Sequence, residues 1–128
     1  MLLPNPPSIN HYWRHCRGQN FISKEGKAYR MKVLAAVFSQ PAVLRADWPI
    51  LGPLIIEVYW NPPDNRKRDL DNILKPLLDA LQHAGVYRDD SQIVRIVAER
   101  MEPVRNGSVQ VDITESDSPA EPGEQPRG

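Results

Sequence analysis

Cysteine is almost absent from this sequence, since Cys16 is the only one in 128 residues. A single cysteine cannot form an internal disulfide, which agrees with a reducing compartment, and we expect Cys16 to have a packing role. His11, His15 and Cys16 make three potential zinc ligands, but no fourth ligand lies nearby and no Cys-x-x-Cys pair exists. The sequence therefore disfavours a zinc site.

Long apolar runs are also missing. No stretch approaches the roughly 20 apolar residues that a membrane helix needs, and residues 1–7 have neither the basic residues nor the apolar stretch of a secretory signal. We expect a cytoplasmic protein. With 128 residues, 41% of them apolar and 25% charged, the chain has the size and composition of one globular domain.

A net charge of zero conceals an uneven distribution of charged residues. The tail from Glu115 has four acidic residues against Arg127, so residues 1–114 carry 15 basic and 12 acidic side chains, a balance of +3. Within residues 1–32 the imbalance is sharper, with six basic side chains against Glu25 alone. The six are Arg14, Arg17, Lys24, Lys27, Arg30 and Lys32. This segment is the natural candidate for a surface that binds phosphates.

The end of the chain has a different composition. Residues 118–128 are rich in Pro, Gly and Glu and contain no apolar residue larger than alanine. Such a segment buries too little surface to offset the entropy that is lost when it becomes ordered. We predict one domain over residues 1–114, followed by an acidic, disordered tail over residues 115–128.

Two main helices are predicted. The first covers residues 23–40, with Ser23 as its N-cap. Its apolar residues at helical spacing are Ala28, Met31, Leu34, Ala35 and Phe38. The second covers residues 72–84 and ends before Gly85, and Pro76 near its start argues against an earlier beginning. Its apolar face contains Ile73, Leu74, Leu77, Leu78 and Leu81.

Three strands are predicted, over residues 54–60, 93–101 and 109–113, from β-branched or alternating apolar residues. Asn106-Gly107 lies between the last two strands and is a hairpin signal. A strand, a helix and a strand form a crossover with a parallel pair, and the hairpin then adds an antiparallel strand. The predicted fold class is α+β, a single domain with a small mixed β-sheet (βαβ crossover plus hairpin) flanked by two main helices.

Carboxylates lie on both sides of the second helix. Asp69 and Asp71 precede it, and on an extended segment residues two apart project from the same face, so both can hold one ion. Asp89 and Asp90 follow the helix. Hard oxygen ligands without cysteine thiolates suit Mg²⁺, or Mn²⁺ as a substitute. Such an ion activates a water molecule for attack on a phosphodiester.

Basic residues flank these aspartates. Arg66, Lys67 and Arg68 come directly before them, and Lys75 lies one helical turn beyond Asp71. A cation there can stabilise the charge that develops on a phosphate. The alternative is a set of solvated surface charges with a salt bridge between Asp71 and Lys75, because an isolated Asp-x-Asp pattern is a weak signal.

The length of the second helix leaves two ways to complete a metal site. At about 1.5 Å per residue, residues 72–84 span roughly 20 Å, so Asp71 and Asp90 start at opposite ends of the helix. Residues 85–90, when fully extended, just cover that distance. Either this loop runs back along the helix, or a partner subunit completes or positions each site.

Three blocks of residues occur in a particular order. The first is Pro6-Pro7-Ser8, Asn10 and Tyr12-Trp13-Arg14-His15, then Ser23-Lys24-Glu25-Gly26 and Tyr29-Arg30. The second is Arg68-Asp69-Leu70-Asp71-Asn72, Lys75 and Asp79-Ala80-Leu81. The third is Gly85-Val86, Asp89-Asp90 and Gln92-Ile93-Val94. With all three blocks at this spacing, the sequence over roughly residues 3–114 resembles the RusA family of Holliday-junction resolvases.

The resemblance implies a homodimeric, Mg²⁺-dependent endodeoxyribonuclease that binds a four-way DNA junction and nicks two opposed strands symmetrically. It assigns catalytic, metal-binding roles to Asp69, Asp71 and Asp90, and a catalytic accessory role to Lys75. Asp89 is expected to orient its loop.

DNA contacts are expected from the first block and from the basic flank of the aspartates. The expected DNA-binding residues are Arg14, Arg17, Lys27, Arg66, Lys67 and Arg68. For Tyr12 and Trp13, core packing and base stacking both remain open. Two other functions also remain open, namely a metal-dependent nuclease acting on other branched nucleic acid and a branched-DNA-binding protein without cleavage activity.

Overall fold

The computed structural model describes residues 1–116, and residues 117–128 lie outside the described part of the chain. The predicted tail over residues 115–128 falls almost wholly outside it, although Glu115 is the last residue of the final strand. Within residues 1–116 no helix is long and apolar enough to span a membrane. The elements are β1 (Leu2–Pro4), α1 (Ile9–Tyr12), β2 (Trp13–Cys16), β3 (Gln19–Ile22), α2 (Lys24–Phe38), α3 (Ala42–Arg45), β4 (Leu54–Asn61), a 3₁₀ turn (Leu70–Ile73), α4 (Leu74–His83), a 3₁₀ turn (Asp90–Gln92), β5 (Ile93–Arg100) and β6 (Ser108–Glu115).

Four strands form the main sheet in the order β1-β6-β4-β5. β4 pairs in parallel with β5 and antiparallel with β6, which also pairs antiparallel with β1. Alternate residues of β4, from Leu54 to Trp60, are buried, as the period of two along a strand requires. α2 and α4 pack against each other, and their buried residues join those of the sheet in one core. The predicted α+β class with a small mixed sheet and two main helices is confirmed.

The helix predicted over residues 72–84 is present, but it begins in two steps. The chain forms the 3₁₀ turn Leu70–Ile73 and then the α-helix Leu74–His83. Pro76 lies in the first turn of α4, where its missing N–H group costs no helical hydrogen bond. Gly85, with a φ of 85°, follows the end of the helix. Four residues of the predicted apolar face are buried, namely Ile73, Leu77, Leu78 and Leu81.

The helix predicted over residues 23–40 is present as α2, but its predicted apolar face is wrong. Met31 and Phe38 are 60% and 63% exposed. The buried residues of the helix are Gly26, Tyr29, Val33 and Val37. Apolar residues lie on both sides of this helix, so helical spacing alone does not choose between them. The contacts that α2 makes with α4 and β1 determine which of its faces is buried.

The predicted hairpin between the last two strands is also wrong. Asn106 and Gly107 do form a tight turn, with φ values of 67° and 68°. However, β6 pairs with β4 and β1 and not with β5. The connecting loop crosses the end of β4, where the Met101 amide donates to the carbonyl of Trp60 at 2.7 Å. The strand that follows the turn, β6, therefore pairs with the edge of β4 opposite to β5.

A second, two-stranded sheet was not predicted. β2 and β3 pair antiparallel across a turn at Arg17 and Gly18, both of which have positive φ. Glycine adopts this backbone region without strain, which suits Gly18. Residues 13–22 are called the N-terminal hairpin below. The expected packing role of Cys16 is wrong, because Cys16 is exposed on a hairpin whose strands face largely into solvent.

The close approach of α2 to α1 requires glycine at position 26. A Cβ atom on Gly26 would lie 2.5 Å from the carbonyl oxygen of Tyr12 and 2.8 Å from Cγ1 of Ile22. Because the carbonyl oxygen of Tyr12 belongs to the backbone, it cannot shift without a cost in free energy. We predict that Gly26→Ala lowers the free energy of unfolding by about 1–3 kcal/mol, measured by urea denaturation.

The control for this prediction is Gly52→Ala. Gly52 has no heavy atom within 4 Å of the position that its Cβ would take, so its free energy of unfolding should change by less than about 0.5 kcal/mol. Equal losses in the two variants would contradict the close-contact argument.

Candidate active site

The acidic run lies at the start of α4. Asp69 has an extended backbone, with φ −83° and ψ 130°, and it caps the 3₁₀ turn that contains Asp71. The amide of Asn72 donates to the carbonyl of Asp69 at 3.2 Å. The expectation of one extended segment is therefore right for Asp69 and wrong for Asp71, because the turn rotates the chain between them. Both aspartates are exposed.

The loop before Asp69 is held by an acidic residue that sequence reasoning missed. Asp64 accepts hydrogen bonds from Arg68 Nη1 at 2.5 Å and from Arg66 Nη2 at 3.2 Å. These bonds, with Arg68 the main cause, hold the pKa of Asp64 well below its usual range. Two of the three basic residues in the flank therefore already have a carboxylate partner, while Lys67 is exposed. The spacing of four between Asp64 and Arg68 was the available signal.

Arg100, at the end of β5, fixes the backbone that leads into Asp69. Its guanidinium donates to the main-chain carbonyl of Arg68 and lies 5.5 Å from the centre of the Trp60 ring. No motif in the sequence indicated this contact, since Arg68 and Arg100 are 32 residues apart.

Asp90 lies alongside α4. Its carboxylate is 3.7 Å from Lys75 Nζ, and its amide donates to the side-chain oxygen of Gln82 at 3.2 Å. Lys75 and Gln82 are seven residues apart, so they share one face of the helix. The loop therefore runs back along the helix, as the first of the two alternatives expects. Lys75 forms its salt bridge with Asp90. The surface-charge alternative predicted a salt bridge between Lys75 and Asp71, which is wrong.

The loop that carries Asp90 is fixed by its neighbours. Asp89 caps the 3₁₀ turn by accepting from the amide of Ser91 at 3.1 Å, and this bond lowers the pKa of Asp89. Gln92 completes a capping box, since its side-chain oxygen accepts from the amide of Asp89 at 2.9 Å. Its side-chain nitrogen donates to the carbonyls of Ile50 and Gly52 at 2.8 and 2.9 Å. The expected loop-orienting role of Asp89 agrees with this geometry.

Asp69 and Asp71 lie directly before α4 and Asp90 lies alongside it, but the three do not form a ready-made cage for a metal. Within residues 1–116 no group of three His, Cys, Asp or Glu side chains is placed to hold a metal ion. Neighbouring carboxylates repel one another, and Lys75 neutralises Asp90. The donor chemistry fits Mg²⁺, which takes hard oxygen ligands. The metal-binding role of the three aspartates stays a prediction.

The other residues predicted to bind DNA lie on the N-terminal hairpin and α2. Arg14 and Arg17 are exposed on the hairpin, and Lys27 is exposed on α2. Tyr12 is fully buried, so core packing is its role, whereas Trp13 is half-buried with its ring edge-on to Tyr12 at 5.1 Å. The basic residues of the hairpin are therefore open to a ligand.

Two cavities lie near the start of α4, one beside Lys75 and one beside Asp69. One, of about 360 Å³, brings the hairpin next to α4 and is lined by Ile9, Asn10, Trp13, His15, Asn20 and Lys75. The other is an open cleft of about 650 Å³ beside Asp69, between the loop of residues 66–69 and the N-terminal residues 5–8. His11, Glu25 and Asn72 also line this cleft. From the sequence, His11 was considered only as a zinc ligand and Glu25 had no role of its own, although Glu25 and Pro6-Pro7-Ser8 at the cleft edge belong to the first block.

Comparisons with known proteins cover most of the chain. A family model described as endodeoxyribonuclease RusA matches residues 4–114. The crossover junction endodeoxyribonuclease RusA of Shigella sonnei (strain Ss046) is 42% identical over 113 residues, which are 88% of this chain and 91% of that protein. The protein of the same name from Escherichia coli (strain K12) is 41% identical over 113 residues, with the same coverage. The one from Enterobacteria phage HK97 is 43% identical over 117 residues, 91% of this chain and 94% of that protein.

The contacts of Gln92 generate a prediction for the loop that carries Asp90. Gln92→Ala removes the capping box and both bonds to the segment before β4. We predict a loss of about 1–3 kcal/mol in the free energy of unfolding, measured by urea denaturation, because main-chain groups lose their partners. Gln110→Ala is the matched control, since its amide makes one exposed bond to Asp112 at 3.2 Å. A control that loses as much stability as Gln92→Ala would contradict the prediction.

Proposed function

The chain belongs to the endodeoxyribonuclease RusA family, and from this we propose that it is an endonuclease that cuts four-way DNA junctions. The observation that supports the proposal most directly is the 3.7 Å contact between Asp90 and Lys75, which lies in the first turn of α4. It brings a third carboxylate to the helix that follows the exposed residues Asp69 and Asp71, within one chain. Carboxylates that can hold a metal ion and a lysine that can stabilise phosphate charge are residue types that serve metal-dependent hydrolysis of a phosphodiester.

We propose that Asp69, Asp71 and Asp90 hold Mg²⁺, with Mn²⁺ as a substitute. A bound ion supplies a Lewis acid that screens the phosphate charge and lowers the pKa of a water molecule. If Asp90 held the ion, Lys75 would no longer be paired with that carboxylate. Its ammonium group can then stabilise the charge on the phosphate or on the leaving oxygen.

Phosphate binding is assigned to the exposed basic residues around the site. Arg14, Arg17 and Lys27 supply one group, and Lys67 is exposed in the loop that leads into Asp69. Arg66 and Arg68 bond to Asp64, so we expect Lys67 to make the strongest phosphate contact of these three. Such contacts position the DNA without reading its sequence.

We further propose that the protein acts as a homodimer in the cytoplasm. Two opposed strands of a four-way junction are related by two-fold symmetry, and a two-fold dimer presents two equal sites to them. Paired, symmetric nicks then follow from the symmetry of the complex.

The experiment that tests the function compares a synthetic four-way junction with a linear duplex, each in Mg²⁺ or in EDTA. We predict cleavage of the junction alone, and only in Mg²⁺. Equal cutting of both substrates would contradict the junction-specific activity, and a preference for flaps or forks would favour the other nuclease function. Junction binding without cleavage in any metal would favour the non-catalytic function.

Asp71→Asn is the informative variant in this experiment. We expect its single-turnover cleavage rate to fall at least about 100-fold, because even outer-shell partners of catalytic metals cost about 10–100-fold. Asp112→Asn is the matched control, since Asp112 is an exposed aspartate on β6, outside the site. The control should keep its rate within about twofold.

A mixing experiment tests whether each site belongs to one chain. Lys75 and Asp90 of the same chain are in contact, so the proposal expects cis sites. Mixed Asp71→Asn and Asp90→Asn chains should then show no more cleavage than either variant alone. Recovered nicking of one strand in the mixture would support sites that are shared across the dimer.

A further inference from the structure

A network of three polar side chains joins three helices next to the candidate site. The Tyr12 hydroxyl donates to Oδ2 of Asp79, and Arg30 donates to the same oxygen through Nε at 3.0 Å and Nη2 at 2.8 Å. Arg30 Nε is also 3.1 Å from the Tyr12 hydroxyl. Tyr12 belongs to α1, Arg30 to α2 and Asp79 to α4.

Burial distinguishes this network from an ordinary surface ion pair. Tyr12 is fully buried, and the side chains of Arg30 and Asp79 are only 24% and 25% exposed. Burial, followed by the bond to Asp79, raises the pKa of Tyr12 above its usual value, so the hydroxyl keeps the proton that it donates. Exposed ion pairs contribute little to structure, whereas partners in a buried network hold one another in fixed geometry.

The network lies between the N-terminal hairpin and Lys75. Tyr12 directly precedes β2, the first strand of the hairpin, and Asp79 lies one helical turn beyond Lys75. The cavity beside Lys75 is also lined by three residues of the hairpin, namely Trp13, His15 and Asn20. The network therefore adjoins two parts of the protein that the proposed function uses. Tyr12 is next to the N-terminal hairpin, and Asp79 is one helical turn from Lys75.

We propose that Asp79 is a positioning residue that, through Tyr12 and Arg30, holds the N-terminal hairpin against the Lys75 end of α4. The inference rests on the proposed function, because the hairpin is assigned to DNA and Lys75 to the cleaved phosphate. A junction bound by an anchored hairpin meets the aspartates at a set distance. A loosened hairpin still binds DNA but presents the phosphate out of line, and a misplacement of about 1 Å costs on the order of 100-fold in rate.

A test of the proposal needs a variant that weakens the network and still folds. Asp79→Ala would leave the half-buried Arg30 without its carboxylate and puts folding itself at risk. Tyr12→Phe removes one hydroxyl and keeps the ring in the core. We expect it to lower the single-turnover cleavage rate at saturating enzyme about tenfold or more, while the junction dissociation constant stays within about threefold.

Tyr29→Phe is the matched control. Tyr29 is 3% exposed, and its hydroxyl donates to the carbonyl of Pro4 at 2.8 Å, so the change also removes one tyrosine hydrogen bond. The two variants should show similar falls in melting temperature. A role for Tyr12 in stability alone predicts similar cleavage rates in both, whereas the positioning role predicts a loss in Tyr12→Phe only.

A second measurement reads the hairpin directly and needs no activity. Cys16, the single cysteine of the chain, is exposed on β2, so a nitroxide can be attached there without further substitution. Electron paramagnetic resonance of the free protein should show a more mobile label in Tyr12→Phe and an unchanged one in Tyr29→Phe.

The two readouts separate the possible failures. Wild-type protein that cleaves no junction would overturn the proposed function and leave the label experiment to decide on the anchor. An unchanged label in Tyr12→Phe, or a cleavage rate that falls equally in both variants, would overturn the positioning role of Asp79.

Discussion

Burial of one face of α4 is the constraint on which the candidate site depends. The apolar residues from Ile73 to Leu81 lie in the core, and this fixes the direction of the helix and the position of the acidic run at its start. The return loop is then pinned at Gln92, which bonds to Ile50 and Gly52. With both ends held, Asp90 lies against the polar side of the same helix.

Three carboxylates around the site form ion pairs. Asp64 has Arg68, Asp79 has Arg30 and Asp90 has Lys75. Within the described part of the chain, neither Asp69 nor Asp71 makes a salt bridge. Exposed carboxylates without a cationic partner remain available to an added cation with a preference for oxygen ligands.

Local chemistry made several elements predictable. Ser23 caps α2 through its own hydroxyl, Pro76 and Gly85 mark the ends of α4, and β4 alternates between buried and half-buried residues. The buried face of α2 was not predictable, because apolar residues lie on both of its sides. The contact between Arg100 and Arg68 was equally hidden, since neither residue type nor spacing indicates a bond across 32 residues.

By itself the sequence determined the family, the residues of the acidic motif and the helix that follows it, because these depend on residue identity and short-range spacing. Only the tertiary structure decided where Asp90 lies, on which side of β4 the last strand pairs, and that the hairpin adjoins Lys75. Each of these depends on which distant surfaces become buried together. A loop of six or seven residues can reach either alternative, and the packing of the core selects one.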